Sequence, residues 1–422
     1  MSKIGIIGAG YVGLTTAVCL AHLGHDVVCA DVLSERVDRL NRGEVPIVEA
    51  GVEPLLADGL RSGRLRFVVG AEQAAAVSEF VFLCVPTPQG EDGSADLSYI
   101  EAAARQIAAA LKSESVVINK STVPVGSTKV VERALGRSDV FVVSNPEFLR
   151  EGSAVHDFLH PDRVVIGSDH QAAAIRTASL YLGIASPLIV TDPASAETIK
   201  YAANAFLATK ISFVNAVAAV CEAVGADVND VVLGIGYDKR IGQEFLRPGP
   251  GWGGSCFPKD TRALVHIAES AGYDFDLLKG VITVNDQQRE RIVSKLREAA
   301  GGSLAGAKVA AWGLTFKART DDLRESPSLA VLARVVEEGG TVTAYDPTVG
   351  RDLPGIGVAS DPYSACEGAD VLAVLTEWDD FRWLDLEKVR SLLCRPAIVD
   401  ARNLLDRSAA LRLGFAYQGI GR

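Results

Sequence analysis

The chain opens on an apolar run, Lys3 to Ile7, which breaks into Gly8-Ala9-Gly10-Tyr11-Val12-Gly13 and continues as an Ala-rich stretch to about Leu23. A short apolar run ended by glycines reads as a buried strand, and the stretch after it as a helix. A second strand covers Asp26 to Ala30 and ends at Asp31. Further apolar runs lie at Phe80 to Val85, Val116 to Asn119, Val140 to Ser144, Asp162 to Gly167 and Leu188 to Thr191. Helical stretches lie among them, around Tyr99 to Leu111 and Thr128 to Leu135. This alternation predicts a parallel sheet with helices on both faces. From about Ser195 to Val224 the pattern becomes one long helix, apolar on nearly every face, which predicts burial on most sides. Helices follow around Lys259 to Ala271 and Asp274 to Leu296. After Gly301-Gly302-Ser303, a linker by composition, a second alternation begins. It has strands at Lys308 to Trp312, Thr341 to Tyr345, Val371 to Leu375 and Ala397 to Asp400, and a helix at Ser328 to Glu337. The expected class is α/β: two doubly wound lobes joined by a long central helix and a helical core.

Length agrees with this partition, because 422 residues exceed one ordinary core. Hydrophobic residues at 48% and charged residues at 23% fit a soluble globular protein. The formal net charge of -11 argues against nucleic acid and against an anionic membrane surface as partners. It leaves an anionic small substrate open, since a local pocket can be basic. No basic-then-apolar leader opens the sequence, and no uninterrupted apolar run reaches about 18 residues. The most apolar stretch, Phe206 to Val224, is broken by Lys210, Asn215 and Glu222. Seven scattered cysteines give neither metal-ligand spacing nor a disulfide framework, so no metal is expected and the cytoplasm is the expected compartment.

Candidate chemistry starts at the first strand's end. In Gly8-x-Gly10-x-x-Gly13, Gly8 allows the tight turn, Gly10 lets the backbone approach a pyrophosphate, and Gly13 lets helix and strand pack. Phosphates then face the helix N-terminus. Asp31 ends the second strand, where a carboxylate takes adenosine ribose hydroxyls and repels a 2′-phosphate. NAD is therefore favoured over NADP, although Arg36, one turn further, blurs the choice. The lobes are Rossmann-like in this sense. Pro86 and Thr87, after one strand, and Lys120-Ser121-Thr122-Val123-Pro124, after another, stand at carboxyl ends of strands, where open parallel sheets bind ligands.

The most informative stretch is Gly249-Pro250-Gly251-Trp252-Gly253-Gly254-Ser255-Cys256-Phe257-Pro258-Lys259-Asp260. Its glycines make a close-fitting loop that a ligand can approach. The following residues read helical, so Cys256 sits near a helix N-terminus, where the dipole and Lys259 would lower a thiol pKa. Asp260 opposes this locally but can position a water or an alcohol proton. A buried structural cysteine in a glycine turn is the plain alternative.

Taken together, the motifs resemble the UDP-glucose and GDP-mannose dehydrogenases over essentially the whole chain. The resemblance rests on the glycine fingerprint, Lys120 to Gly126, Asn145-Pro146-Glu147-Phe148-Leu149-Arg150-Glu151-Gly152, and Lys200 to Asn204. It continues in Gly253 to Asp260 and in Phe316-Lys317 through Pro327. It implies an NAD-binding domain over 1–195, a central helical dimerisation domain over 196–300 and a C-terminal nucleotide-sugar domain over 301–422. It also implies a homodimer.

The implied reaction takes a primary alcohol to a carboxylate, a four-electron oxidation using two NAD, such as UDP-glucose to UDP-glucuronate. The aldehyde formed first cannot give a second hydride until a nucleophile adds, and a thiolate does this well. The resemblance assigns that role to Cys256, through a thiohemiacetal and a thioester. Lys200 and Asn204 would stabilise the oxyanion, and their i,i+4 spacing puts both on one helix face. Asp260 and Thr122 would hold the water, and Glu151 would be the base for hydrolysis. Glu147, four residues earlier, would be brought beside it by a helical turn, which could raise one carboxyl towards a base's range. Glu147 to Glu151, Phe245, Leu246, Gly253 and Phe257 would line the substrate groove. Arg240 would reach substrate across the dimer, Lys317 would meet base or ribose, and Arg402 would serve the nucleotide pocket. Lys259 and Arg324 would meet the cofactor. Phe257-Pro258 and Arg240-Ile241-Gly242 favour UDP-glucose over GDP-mannose, dTDP-glucose or a UDP-N-acetylhexosamine. A two-electron hydroxy-acid dehydrogenase needs no such cysteine, and a non-catalytic NAD-binding regulator would not keep cysteine, lysine and asparagine together.

Overall fold

The computed structural model describes residues 1–88, 90 and 95–422. They form two compact units, Met1–Ala203 with Arg262–Ala271, and Asn204–Thr261 with Gly272–Arg422.

The first unit holds an eight-stranded sheet: β1 (Lys3–Ile7), β2 (Asp26–Asp31), β3 (Leu65–Val69), β4 (Phe80–Leu83), β5 (Val116–Asn119), β6 (Phe141–Ser144), β7 (Val164–Gly167) and β8 (Leu188–Thr191). Their order is β3-β2-β1-β4-β5-β6-β7-β8. The chain leaves β1 in one direction for β2 and β3, then returns to the other side of β1 for β4, so the topological switch point lies at the carboxyl ends of β1 and β4. All pairings are parallel except β6 with β7, which meet antiparallel through Ser144 and Gly167. The inner strands are mostly apolar because helices cover both faces. The β3 strand, Leu-Arg-Phe-Val-Val, alternates buried and exposed positions, and it lies at the sheet edge, which is why no continuous apolar run announces it.

The second unit repeats the plan with β9 (Lys308–Trp312), β10 (Thr341–Tyr345), β11 (Ile356–Val358), β12 (Val371–Val374), β13 (Ala397–Asp400) and β14 (Ala416–Gln418), ordered β11-β10-β9-β12-β13-β14 and parallel throughout. Its switch point falls between β9 and β12. The edge strands β11 and β14 have three residues each, too few to carry a periodic signal.

The long helix runs over Pro193–Val224. It is not buried on most sides. Phe206, Phe213, Val220 and Val224 are 64%, 55%, 60% and 70% exposed, and their spacing places them along one stripe. The opposite side buries Glu197, Lys200, Asn204, Ser212 and Asn215. Hydrophobic periodicity records which faces are apolar but not what covers them. The helix is long and apolar enough to cross a membrane by length and composition. Its buried charged and polar residues, held by partners within the fold, instead mark it as a helix of a folded core.

Candidate active site

In the first unit the three fingerprint glycines do different work. Gly8 has φ 100, and a Cβ there would stand 2.5 Å from the Cys84 carbonyl oxygen. A Cβ on Gly13 would fall 1.8 Å from the Gly8 carbonyl oxygen, whereas Gly10 faces open space. The turn and the helix packing thus exclude side chains at Gly8 and Gly13, and the backbone at Gly10 is left approachable, with Tyr11 and Val12 opening the helix Tyr11–His22. Asp31, buried at the end of β2, accepts the Ala9 N–H at 2.9 Å and the Leu33 N–H at 3.0 Å. Arg36 reaches the same carboxylate at 3.2 Å, so it partners Asp31. These residues fit a dinucleotide: an open glycine turn for phosphates and a fixed carboxylate beside it. Thr87 and Thr122 are buried at the ends of their strands, while Pro86 is exposed. Ser121 ties these two strand ends together, its hydroxyl donating to the Val85 carbonyl at 2.7 Å.

A buried ionic cluster lies at the end of β6. The Lys200 ammonium donates to Glu147 Oε1 at 2.9 Å, and the other oxygen of Glu147 accepts the Leu149 N–H at 2.6 Å. Burial alone would raise the Glu147 carboxyl, but the Lys200 ammonium, the Leu149 amide and Lys120 outweigh it and hold it below the usual carboxylate range. Lys120 donates to Asn145 Oδ1 at 3.1 Å, and burial pushes its ammonium down to about 8. The Phe148 ring lies under the Arg163 guanidinium at 3.6 Å, with the Lys200 ammonium 5.3 Å from its centroid.

The helical turn expected to join Glu147 and Glu151 does not form. Residues 145–150 are irregular, Glu151 and Gly152 form a turn, and the next helix starts at Ala154. The Glu147 carboxylate is taken by Lys200 and by the backbone two residues on, which bends the chain away from helix. A carboxyl raised by a neighbouring carboxylate is therefore not what Glu147 provides; it is an ionised partner that aims Lys200. Leu149 packs on the core, and Arg150 pairs with Asp157 at 2.6 Å.

In the second unit Cys256 directly precedes the helix Phe257–Ser270, and its carbonyl accepts the Asp260 N–H at 2.9 Å. Cys256 is half-buried, with the Ser255 hydroxyl 3.5 Å from its sulfur. Five of the other cysteines are buried and Cys394 is exposed. Asp260 is fully buried: Asn204 Nδ2 donates to one oxygen at 2.6 Å and Lys259 Nζ to the other at 2.5 Å. Lys259, in the first turn of that helix, is thus paired with Asp260.

The glycines of the cysteine loop allow close packing against the protein's own groups. A Cβ on Gly253 would lie 2.0 Å from the Glu325 carbonyl oxygen, and one on Gly254 2.8 Å from the Phe316 ring. Three buried amides, which the linear pattern did not single out for this purpose, clamp the loop. Asn215 Oδ1 accepts the Gly249 N–H at 2.9 Å, and Gln288 donates to the Gly249 carbonyl at 2.8 Å. Asn285 bonds both backbone groups of Trp252, accepting at 2.8 Å and donating at 3.1 Å. The Trp252 indole then donates to Ser212 at 2.9 Å. Polar residues inside otherwise apolar helices were the available signal. Leu246 is buried, and Phe245, at φ 62, sets its ring 6.3 Å from that of Phe257.

The predicted basic residues are differently placed. Arg402 sits beside Gly249 and donates to the Leu375 and Phe316 carbonyls at 2.9 and 3.1 Å. Lys317 lies 5.5 Å from the Phe316 ring centroid. Arg324 forms a two-pronged pair with Asp322, at 2.9 and 2.7 Å. Arg240 pairs with Asp238 at 2.6 Å and is 89% exposed. Among the described residues no group of three or more His, Cys, Asp or Glu could hold a metal ion.

Three family profiles match in sequence order: the NAD binding domain of the UDP-glucose/GDP-mannose dehydrogenase family over residues 2–185, its central domain over 194–287 and its UDP binding domain over 310–407. The chain belongs to the UDP-glucose/GDP-mannose dehydrogenase family. Its relatives in that family include a UDP-glucose 6-dehydrogenase of Rhizobium meliloti (strain 1021), 48% identical over 100% of this chain and 99% of the relative. Another is the UDP-glucose 6-dehydrogenase TuaD of Bacillus subtilis (strain 168), 45% identical over 100% and 94%. Among solved structures, a UDP-glucose dehydrogenase from the hyperthermophilic archaeon Pyrobaculum islandicum superposes with a TM-score of 0.93 at 39% identity, covering 100% of this chain and 98% of that one. A GDP-mannose dehydrogenase from Pseudomonas aeruginosa reaches a TM-score of 0.55 at 31% identity over 99% of both. The family's cofactor is NAD, and the fingerprint and Asp31 lie within the residues that the NAD binding profile matches.

Proposed function

We propose that this protein oxidises the primary alcohol of UDP-glucose to the carboxylate of UDP-glucuronate, with Cys256 as the nucleophile. One observation carries the reading: the half-buried Cys256 thiol opens a helix on a loop clamped by three amides, one turn before a buried Asp260–Asn204 pair. Such rigidity is what covalent catalysis requires of a nucleophile. Relatives named for UDP-glucose at 45–48% identity support this sugar nucleotide.

Bound NAD supplies a hydride acceptor for each of the two oxidation steps. The glycine turn at Gly8 to Gly13 and the Asp31 carboxylate hold it, with Arg36, Pro86, Thr87, Thr122, Lys259 and Arg324 contributing. Glu147 aims Lys200, and Lys200 with Asn204 stabilises oxyanions as they develop. The Cys256 thiolate adds to the aldehyde carbon to give a thiohemiacetal, whose oxidation leaves a thioester. Asp260 and Thr122 hold the water, and Glu151 takes its proton as the thioester is hydrolysed. Phe148 to Arg150, Phe245, Leu246, Gly253, Phe257, Lys317 and Arg402 bind the sugar nucleotide. The division into 1–195, 196–300 and 301–422 follows these tasks. Seven free cysteines fit a reducing, cytoplasmic setting. A panel of UDP-, GDP- and dTDP-glucose and GDP-mannose, read by NADH formation, tests the substrate. UDP-glucose should give the highest kcat/KM, and a preference for GDP-mannose would overturn the choice.

The exposed stripe of the long helix supports a homodimer in which a second copy covers it, with Arg240 serving the partner's substrate. Phe206→Glu with Phe213→Glu should convert a dimer into a monomer in light scattering, because two buried charges face each other across a twofold interface. A dimer that persists in this variant would place the interface elsewhere.

A further inference from the structure

We infer that Glu49 is a positioning residue for thioester hydrolysis, holding the backbone beside Glu151 against the first residue of the dinucleotide helix. Glu49 lies in the segment before the helix Val52–Arg61 and is 9% exposed. Both of its oxygens are engaged by donors distant in sequence. One accepts the Tyr11 hydroxyl and the Gly152 N–H, the latter at 2.6 Å. The other accepts the Ala154 N–H at 2.8 Å. The Tyr11 hydroxyl itself stands 3.2 Å from the Gly152 nitrogen. Gly152 follows Glu151 directly and turns the chain with φ 84, and Ala154 opens the next helix. Gly51 brings the same segment close, since a Cβ there would meet the Val155 side chain at 3.3 Å. One buried carboxylate therefore joins the glycine-fingerprint helix to two amides that closely follow Glu151, those of Gly152 and Ala154.

The chemistry of the three donors requires a carboxylate. Two backbone N–H groups and a phenol all need acceptors, and an ionised carboxylate offers two acceptor oxygens. A glutamine offers one acceptor oxygen and turns its NH₂ toward at least one of these donors. Burial, then the Glu49 carboxylate, pushes the Tyr11 phenol up, so Tyr11 remains the donor. Glu49 acts through Glu151. The inference rests on the proposed reaction, in which a water oxygen adds to the thioester carbonyl carbon and its proton passes to Glu151. The C–S bond then breaks, and its electron pair leaves with the Cys256 sulfur as thiolate. The two preceding oxidations need no base at Glu151. A loosened turn should slow hydrolysis selectively and leave the acyl-enzyme to accumulate.

The test uses the full-length protein with UDP-glucose and NAD. In Glu49→Gln, a burst of two NADH per active site should persist while steady turnover falls roughly 10- to 100-fold. Intact-protein mass should show the glucuronyl adduct on Cys256. Hydroxylamine, which cleaves thioesters without a general base, should restore turnover in this variant. Tyr11→Phe removes one donor and keeps the two amides, so it should show the same pattern more weakly, and it serves if Glu49→Gln does not fold. Equal loss of burst and turnover with no adduct, or no response to hydroxylamine, would overturn the positioning role alone. A wild-type yield of one NADH per sugar would bring down the four-electron reading, and this inference with it.

Discussion

Cys256→Ser is expected to lower steady turnover by roughly 10⁴-fold or more, the scale at which removing an enzyme's nucleophile is felt. A serine hydroxyl has no appreciable anionic fraction at neutral pH, whereas a thiol gives some thiolate even without activation. Any adduct formed on serine is an oxygen ester, a poorer electrophile than a thioester, so it should persist and be seen by intact mass. The loop itself should survive the change, because its clamps are Asn215, Asn285 and Gln288 rather than the sulfur. Cys394→Ser, at the exposed thiol, is the control and should keep wild-type turnover. Near-normal activity in Cys256→Ser would refute the covalent route.

Lys200→Met should fail in two separable ways. The Lys200–Glu147 pair is nearly sealed from solvent, with side chains 4% and 6% exposed. Removing one partner of a buried pair costs about 3–5 kcal/mol, because the remaining charge is left uncompensated. Lys120 remains near Glu147, which places the loss towards the lower end. Loss of an oxyanion donor separately costs about 10²–10³ in kcat. Adding Glu147→Gln to Lys200→Met removes the stranded carboxylate, so melting temperature should largely recover while activity does not. If activity returned with stability, Lys200 would be a purely structural residue.

Local signals were readable in the sequence and distant ones were not. The fingerprint, the cysteine loop and both alternations lie within contiguous stretches, and the strands β1, β5, β8, β9, β10 and β13 fall where the apolar runs put them. The partners that fix the site do not. Glu147 meets Lys200 across 53 residues, Asn204 meets Asp260 across 56, and Glu49 meets Gly152 across 103. No periodicity reports such pairings. Reading Glu147 and Glu151 by helical spacing failed for that reason: side-chain acceptors claimed the backbone amides that a helix would have used. The long helix misled in another way. Its apolar residues were correctly located, but a face covered by the chain itself and a face left exposed share one composition.

The central claim is that one alcohol gives up four electrons through a covalent intermediate on Cys256. With UDP-glucose limiting and NAD in excess, the account requires two NADH and one UDP-glucuronate for each sugar consumed. A ratio of one NADH, with an aldehyde as product, would contradict it.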